Sequence, residues 1–169
     1  MLLPHLLTSK LVQNSSKLLR VAKKVMPEKL QNLFVLHQLN RLAKDFLADG
    51  ELDFLEGRVA LVQLTDLSAH WYFTKASSRI VMLDRRPDAV DVTFSATVNA
   101  MVLMASQQVD PDTLFFNRDL SISGDTELGL EIKNLLDRFD LDLLDKPFRK
   151  ILDAWSKQLL DNNWRDSHA

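Results

Sequence analysis

Residues 110–138 read DPDTLFFNRDLSISGDTELGLEIKNLLDR, and the order of signals in them decides between fold classes. Pro111 starts a turn or a helical stub, because its ring fixes φ and removes an N–H. Leu120 and Ile122 alternate with Ser121 and Ser123, which predicts a short strand with one apolar face. Gly124 and Asp125 turn the chain. Asp125 then caps a helix by accepting from its first free N–H groups, and Glu127 in the first turn suits the positive end of the helix dipole. Leu128, Ile132, Leu135, Leu136 and Phe139 form the apolar stripe of that helix. Gly129 sits inside it at a cost of about 1 kcal/mol relative to alanine, which points to a close backbone approach, here to the sheet.

Upstream, residues 54–123 fall into short apolar or alternating runs. GRVALVQLTD (57–66), HWYFTK (70–75), IVML (80–83) and AVDVTFSA (89–96) predict strands. In the second, Trp71 and Phe73 share one side and His70 and Tyr72 the other. In the fourth, Val90, Val92 and Phe94 oppose Asp91, Thr93 and Ser95. The wholly apolar IVML reads as a strand buried on both faces. Close spacing, with Ser-rich or DRRPD connections, predicts an antiparallel meander. TVNAMVLMAS (97–106) predicts a short helix with Met101, Met104 and Ala105 on one face. The fold class is therefore α+β, an antiparallel sheet of about five strands covered by helices.

Helical patterns flank this body. Leu3, Leu7, Leu11, Leu18, Ala22 and Val25 fall on one side of a helix. Residues 1–30 carry a net charge of +5, against −2 for the whole chain. Such a segment either lies on an anionic lipid surface through Lys10, Lys17, Arg20, Lys23 and Lys24 or packs on the body with its lysines in water. Pro27 opens a second helix, whose period runs through Leu30, Phe34, Leu36, Leu39, Leu42, Ala43 and Phe46 until Asp49-Gly50 stops it. At the other end, the acidic connector DRFDLDLLDKP leads to an amphipathic helix with Phe148, Ile151, Leu152, Trp155 and Leu159 on one side. The expected division is a basic amphipathic extension over 1–34, a body over 35–140 and a C-terminal helix over 141–169.

Reactive chemistry is missing from the pattern. With no cysteine among 169 residues, disulfides, thiolate metal sites and cysteine nucleophiles drop out, and the composition suits a reducing cytoplasm. His5, His37, His70 and His168 are not spaced as metal ligands. Four dispersed glycines cannot build a phosphate-cradling loop, and no nucleophile elbow is present. Asp137, Asp140, Asp142 and Asp145 lack the glycine and glutamate of a calcium loop and read as a solvated linker. No metal or cofactor is expected. The near-neutral total charge argues against nucleic acid as a partner. No secretory signal is read at the N-terminus, and no window approaches the ~20 apolar residues of a membrane-spanning helix. What remains is binding through apolar surface, where each CH₂ removed from water contributes ~0.8 kcal/mol. Adaptable thioether side chains such as Met82, Met101 and Met104 suit that use, as they also suit an ordinary core.

The 110–138 stretch, with DGELDFLEGR at 49–58, resembles the sterol carrier protein type-two lipid-binding family. Within that family, DPDTLFF and GDTELGL are similar to the group that serves bacterial ubiquinone biosynthesis. The family match covers about residues 35–140. The resemblance implies an apolar cavity between sheet and helices that binds isoprenoid quinone precursors or phospholipid, without catalysis. It also implies a place in oxygen-independent ubiquinone synthesis beside the hydroxylation proteins UbiU and UbiV, in the cytoplasm or peripheral on the inner membrane. No reactive-residue motif carries over. From the pattern alone, Phe115 and Phe116 would close one end of such a cavity, and Leu120, Ile122, Leu128, Ile132 and Leu136 would line it. Trp71, Phe73, Met82, Phe94, Met101 and Met104 would complete the wall. The competing reading is an interaction scaffold whose interior these same side chains fill.

Overall fold

The computed structural model describes residues 27–161. Among them are six α-helices and five strands. α1 (Glu28–Leu42) begins directly after Pro27, and α2 (Lys44–Ala48) follows it across the buried Ala43. Gly50 ends this arm at a φ of 75°, a left-handed conformation that glycine adopts without a Cβ penalty. A short 3₁₀ turn (Asp53–Leu55) leads to β1 (Ala60–Leu64), β2 (Ala69–Ala76) and β3 (Arg79–Leu83). Then come β4 (Val92–Ala96), α3 (Val98–Ala105), α4 (Pro111–Phe116), β5 (Leu120–Gly124) and α5 (Thr126–Leu136). A second 3₁₀ turn (Leu141–Leu143) precedes α6 (Lys146–Asp161).

The sheet order is β3-β2-β1-β4-β5. β1, β2 and β3 form the expected antiparallel meander, but β4 pairs with β1 in parallel. The register explains the departure. Leu83, at the end of β3, lies opposite Tyr72, and Tyr72 lies opposite Leu61 at the start of β1. Residues 84–91 therefore pass β2 and β1 sideways instead of folding back beside β3. Asp91 anchors the crossing at β1: its N–H donates to the Val59 carbonyl at 2.9 Å, and its carboxylate accepts from the Val59 N–H at 2.7 Å. β4 then enters parallel, and β5 pairs with it antiparallel.

IVML, expected to be buried on both faces, occupies the sheet edge, with Ile80 buried and Val81, Met82 and Leu83 only partly so. Its apolar character answers to α1, which packs across it. Asn40 of α1 pairs with the edge like a peptide group, accepting from the Ile80 N–H and donating to the Ile80 carbonyl, each at 2.9 Å.

One sheet face carries the core. Ala60 and Val62 sit in register with Phe73 and Trp71 on one side and with Val92 and Phe94 on the other. Ile122 and Leu120 continue the row on β5. The helices close over this face, burying Leu103, Leu114 and Leu128 against Phe94, Leu120 and Val92. Gly129 is where α5 comes closest: a Cβ there would stand 2.8 Å from Ile122 Cγ2. Lys75 shares the core face with Ile80. It is buried and reaches Asp53 at 3.0 Å and Glu56 at 3.2 Å, which ties the first 3₁₀ turn and the residues after it to the end of β2.

Candidate lipid-binding groove

β2 starts at Ala69, but β3 reaches only as far as the residue opposite Tyr72. Ala69, His70 and Trp71 thus have no strand beside them on that side. The first turns of α1 stand over this gap, and the Trp71 Nε1–H donates to Asn32 Oδ1 at 2.9 Å. The result is a half-open groove of about 610 Å³, within the range of small-molecule sites. Glu28, Lys29, Asn32, Leu33 and Leu36 of α1 form one wall. His70, Trp71 and Tyr72 of β2, Met82 and Leu83 of β3, and Asp84, Arg85 and Arg86 of the crossover complete it. Trp71, Leu36 and Met82 belong at the same time to the core cluster around Phe73, so the apolar part of the groove is continuous with the interior. The lining carries three cations, Lys29, Arg85 and Arg86, and two acids, Glu28 and Asp84, and among the described residues none of the five makes an ion pair.

The thirteen residues expected from the pattern to line a cavity are spread over this groove, the two core clusters and the surface. Trp71 and Met82 line the groove. Phe73 lies just inside it, opposite Met82 and buried. Phe94, Leu120 and Leu128 are buried in the cluster at the other end of the sheet, with Met101, Met104, Ile122 and Ile132 packed against them. Leu136 packs on the cluster around Phe73. Phe115 and Phe116 are 44% and 79% exposed. In a helix of six residues only one side can face the core, and Pro111 and Leu114, three apart, take it. The expected membrane-contact residues Lys10, Lys17, Arg20, Lys23 and Lys24 lie outside the described residues.

The sequence pattern does not mark the α1 wall or the charged residues 84–86 as part of a site. Leu33 lay outside the apolar stripe read for this helix, and DRRPD read only as a turn. Both enter the site through strand register, which the local sequence does not carry. The adjacent arginines of Arg85-Arg86 were the one signal present. Among the described residues no group of three or more His, Cys, Asp or Glu side chains could hold a metal ion, and no helix is long and apolar enough to cross a membrane.

The profile of the SCP-2 sterol transfer family matches residues 36–137. The ubiquinone biosynthesis accessory factor UbiT of Escherichia coli K12 is 37% identical over 146 residues, which span 86% of this chain and 83% of that protein. This chain is a UbiT-like member of the SCP-2 sterol transfer family. UbiT of Escherichia coli O157:H7 matches with the same identity and coverage. Among solved structures, a UbiJ-SCP2 ubiquinone synthesis protein superposes with a TM-score of 0.56. The match covers 66% of this chain and 93% of that one at 19% identity, and shows the fold alone. As a UbiT-like SCP2 protein, the chain belongs with non-catalytic carriers and accessory factors.

Proposed function

We propose that this UbiT-like protein holds the isoprenoid tail of a quinone precursor, or the acyl chain of a phospholipid, in the groove between α1 and the free edge of β2. It thereby serves oxygen-independent ubiquinone biosynthesis as an accessory factor. The observation that carries this reading is a groove of about 610 Å³ whose Leu36, Trp71 and Met82 join the core, in a chain whose relative is named for ubiquinone biosynthesis. Tail burial needs no reactive group. At ~0.8 kcal/mol per CH₂, one isoprene unit taken wholly from water contributes roughly 3–4 kcal/mol. Trp71, Met82 and Leu36 are the side chains in contact with the guest, and the head group stays at the open mouth, where UbiU and UbiV act on it. On this reading the protein works in the cytoplasm, at the inner face of the membrane. The basic segment with Lys10, Lys17, Arg20, Lys23 and Lys24 meets anionic lipid there.

Native mass spectrometry and lipid extraction of the full chain test the proposal. The expected result is a co-purifying prenylated or acylated lipid, or uptake of an added octaprenyl phenol. Met82→Trp should fill the groove and abolish uptake while leaving the circular dichroism spectrum unchanged. A wild-type protein that neither carries nor takes up any such lipid contradicts the reading. Retention of UbiU and UbiV binding in that empty protein would instead support the scaffold alternative.

A further inference from the structure

Two helices carry large apolar side chains that the described fold leaves in water. On α1, Leu30, Leu33 and Phe34 are 55%, 63% and 43% exposed, and on α6 Ile151 is 61% exposed. These belong to one neighbourhood, because Phe34 meets Phe148 edge-on with ring centroids 5.1 Å apart. Leu30 lies one turn from Phe34, and Ile151 one turn from Phe148. Exposed Lys29, Lys146 and Lys150 stand on the same two helices, with no ion pair among the described residues. Of the acids nearby, Asp145 is neutralised by Arg41 and Asp153 by Arg149, while the exposed Glu28 offsets one of these lysines. The twenty-six residues that precede Pro27 hold five cations and no acid, and they join the fold one turn before Leu30.

We infer that this face of α1 and α6 docks the protein on an anionic lipid bilayer. A bilayer takes apolar side chains below the head groups while lysine stems keep their ammonium groups level with the phosphates. Anionic lipid also attracts the basic segment that enters at the same place. A protein partner would have to match both the apolar side chains and the surplus of cations. A second copy of this chain would set the lysines of one face against those of the other. Leu33 and Lys29 belong both to this face and to the groove wall, so a docked molecule opens its groove at the membrane surface. The inference extends the proposed function by naming the contact face on the folded body. It does not need a guest in the groove, and vesicle binding can be scored separately from lipid uptake.

The test uses the full chain with vesicles of phosphatidylglycerol and phosphatidylethanolamine, and with vesicles of phosphatidylcholine alone. Wild-type protein should sediment with the first and not the second. The double substitution Leu30→Glu and Ile151→Glu avoids the groove lining. It should weaken binding about tenfold or more, given the apolar burial lost, while melting temperature and lipid uptake stay as in the wild type. Because the chain has no cysteine, Leu30→Cys can carry an environment-sensitive dye. Its emission should brighten and shift blue on anionic vesicles, and the same dye at Glu131→Cys on α5 should not respond. The inference is overturned if the double variant sediments like wild type or if the two dyes behave alike. It is equally overturned if the double variant instead dissolves a dimer seen by light scattering with vesicle binding unchanged.

Discussion

At Gly129 the interior of α5 presses on the sheet, with Ile122 Cγ2 2.8 Å and Val92 Cγ2 3.4 Å from where a Cβ would sit. Helix propensity favours alanine here by about 1 kcal/mol, while overpacking opposes it by about 1–3 kcal/mol. Valine has the clash without alanine's propensity, so Gly129→Val should lower unfolding stability by about 2–3 kcal/mol in urea titration. Asp125, one turn earlier, accepts from the Glu127 and Leu128 N–H groups at 3.0 Å each and from Arg58 at 2.6 Å. The Leu128 hydrogen bond first, and then Arg58, holds its carboxyl below the ordinary aspartate value of 3.8. A carboxyl depressed in the folded state adds stability above its unfolded pKa, and that stability is lost as pH falls through the folded value. Asp125→Asn keeps a good capping side chain but cannot titrate. Its melting temperature should therefore fall less steeply than wild type between about pH 5 and pH 2, as differential scanning calorimetry can show. Cap and glycine were both legible in the sequence, because each is a local backbone requirement. The burial of Lys75 was not, since its partners Asp53 and Glu56 come from another segment.

Elements obey their periods, but a period does not say how wide a stripe the fold will cover. In α4 the structure takes Leu114 and leaves its two phenylalanines outside. Leu114→Ala should cost about 2–5 kcal/mol of stability, whereas Phe116→Ser should change it by less than about 0.5 kcal/mol. Equal losses in thermal or urea unfolding would show that the aromatic pair is packed after all. α6 behaves the same way: Leu152 and Leu159 are buried and Ile151 is not, although all three lie on the predicted apolar side. Strand β3 is the clearest departure. Its unbroken apolar run fits a central strand, yet it sits at the edge under α1. The run satisfies a helix on one face and shelters a short edge. No pattern within four residues separates that arrangement from burial on both faces.

Across the whole molecule, α1 is tied to the chain that leads into α6. Buried Gln38 bonds to the Asp145 carboxylate and accepts from the Asp145 N–H at 3.2 Å, while Arg41 reaches the Leu143 carbonyl at 2.6 Å. Gln38→Ala strands these groups and should cost about 1–3 kcal/mol, measured by chemical unfolding. Because α1 is also the groove wall, the same variant should weaken lipid uptake without touching a lining residue. The amino-acid sequence by itself determined the alternation of strands and helices, their caps, the missing reactive groups and the family, because each of these is written in short-range spacing or in residue identity. Tertiary structure alone decided that β4 joins β1 in parallel, which residues share the groove, and which apolar side chains face water. The groove is assembled from residues 28–36, 70–72 and 82–86. It opens because β3 stops short of the start of β2, and that mismatch depends on how distant strands pair, which no single stretch of chain encodes.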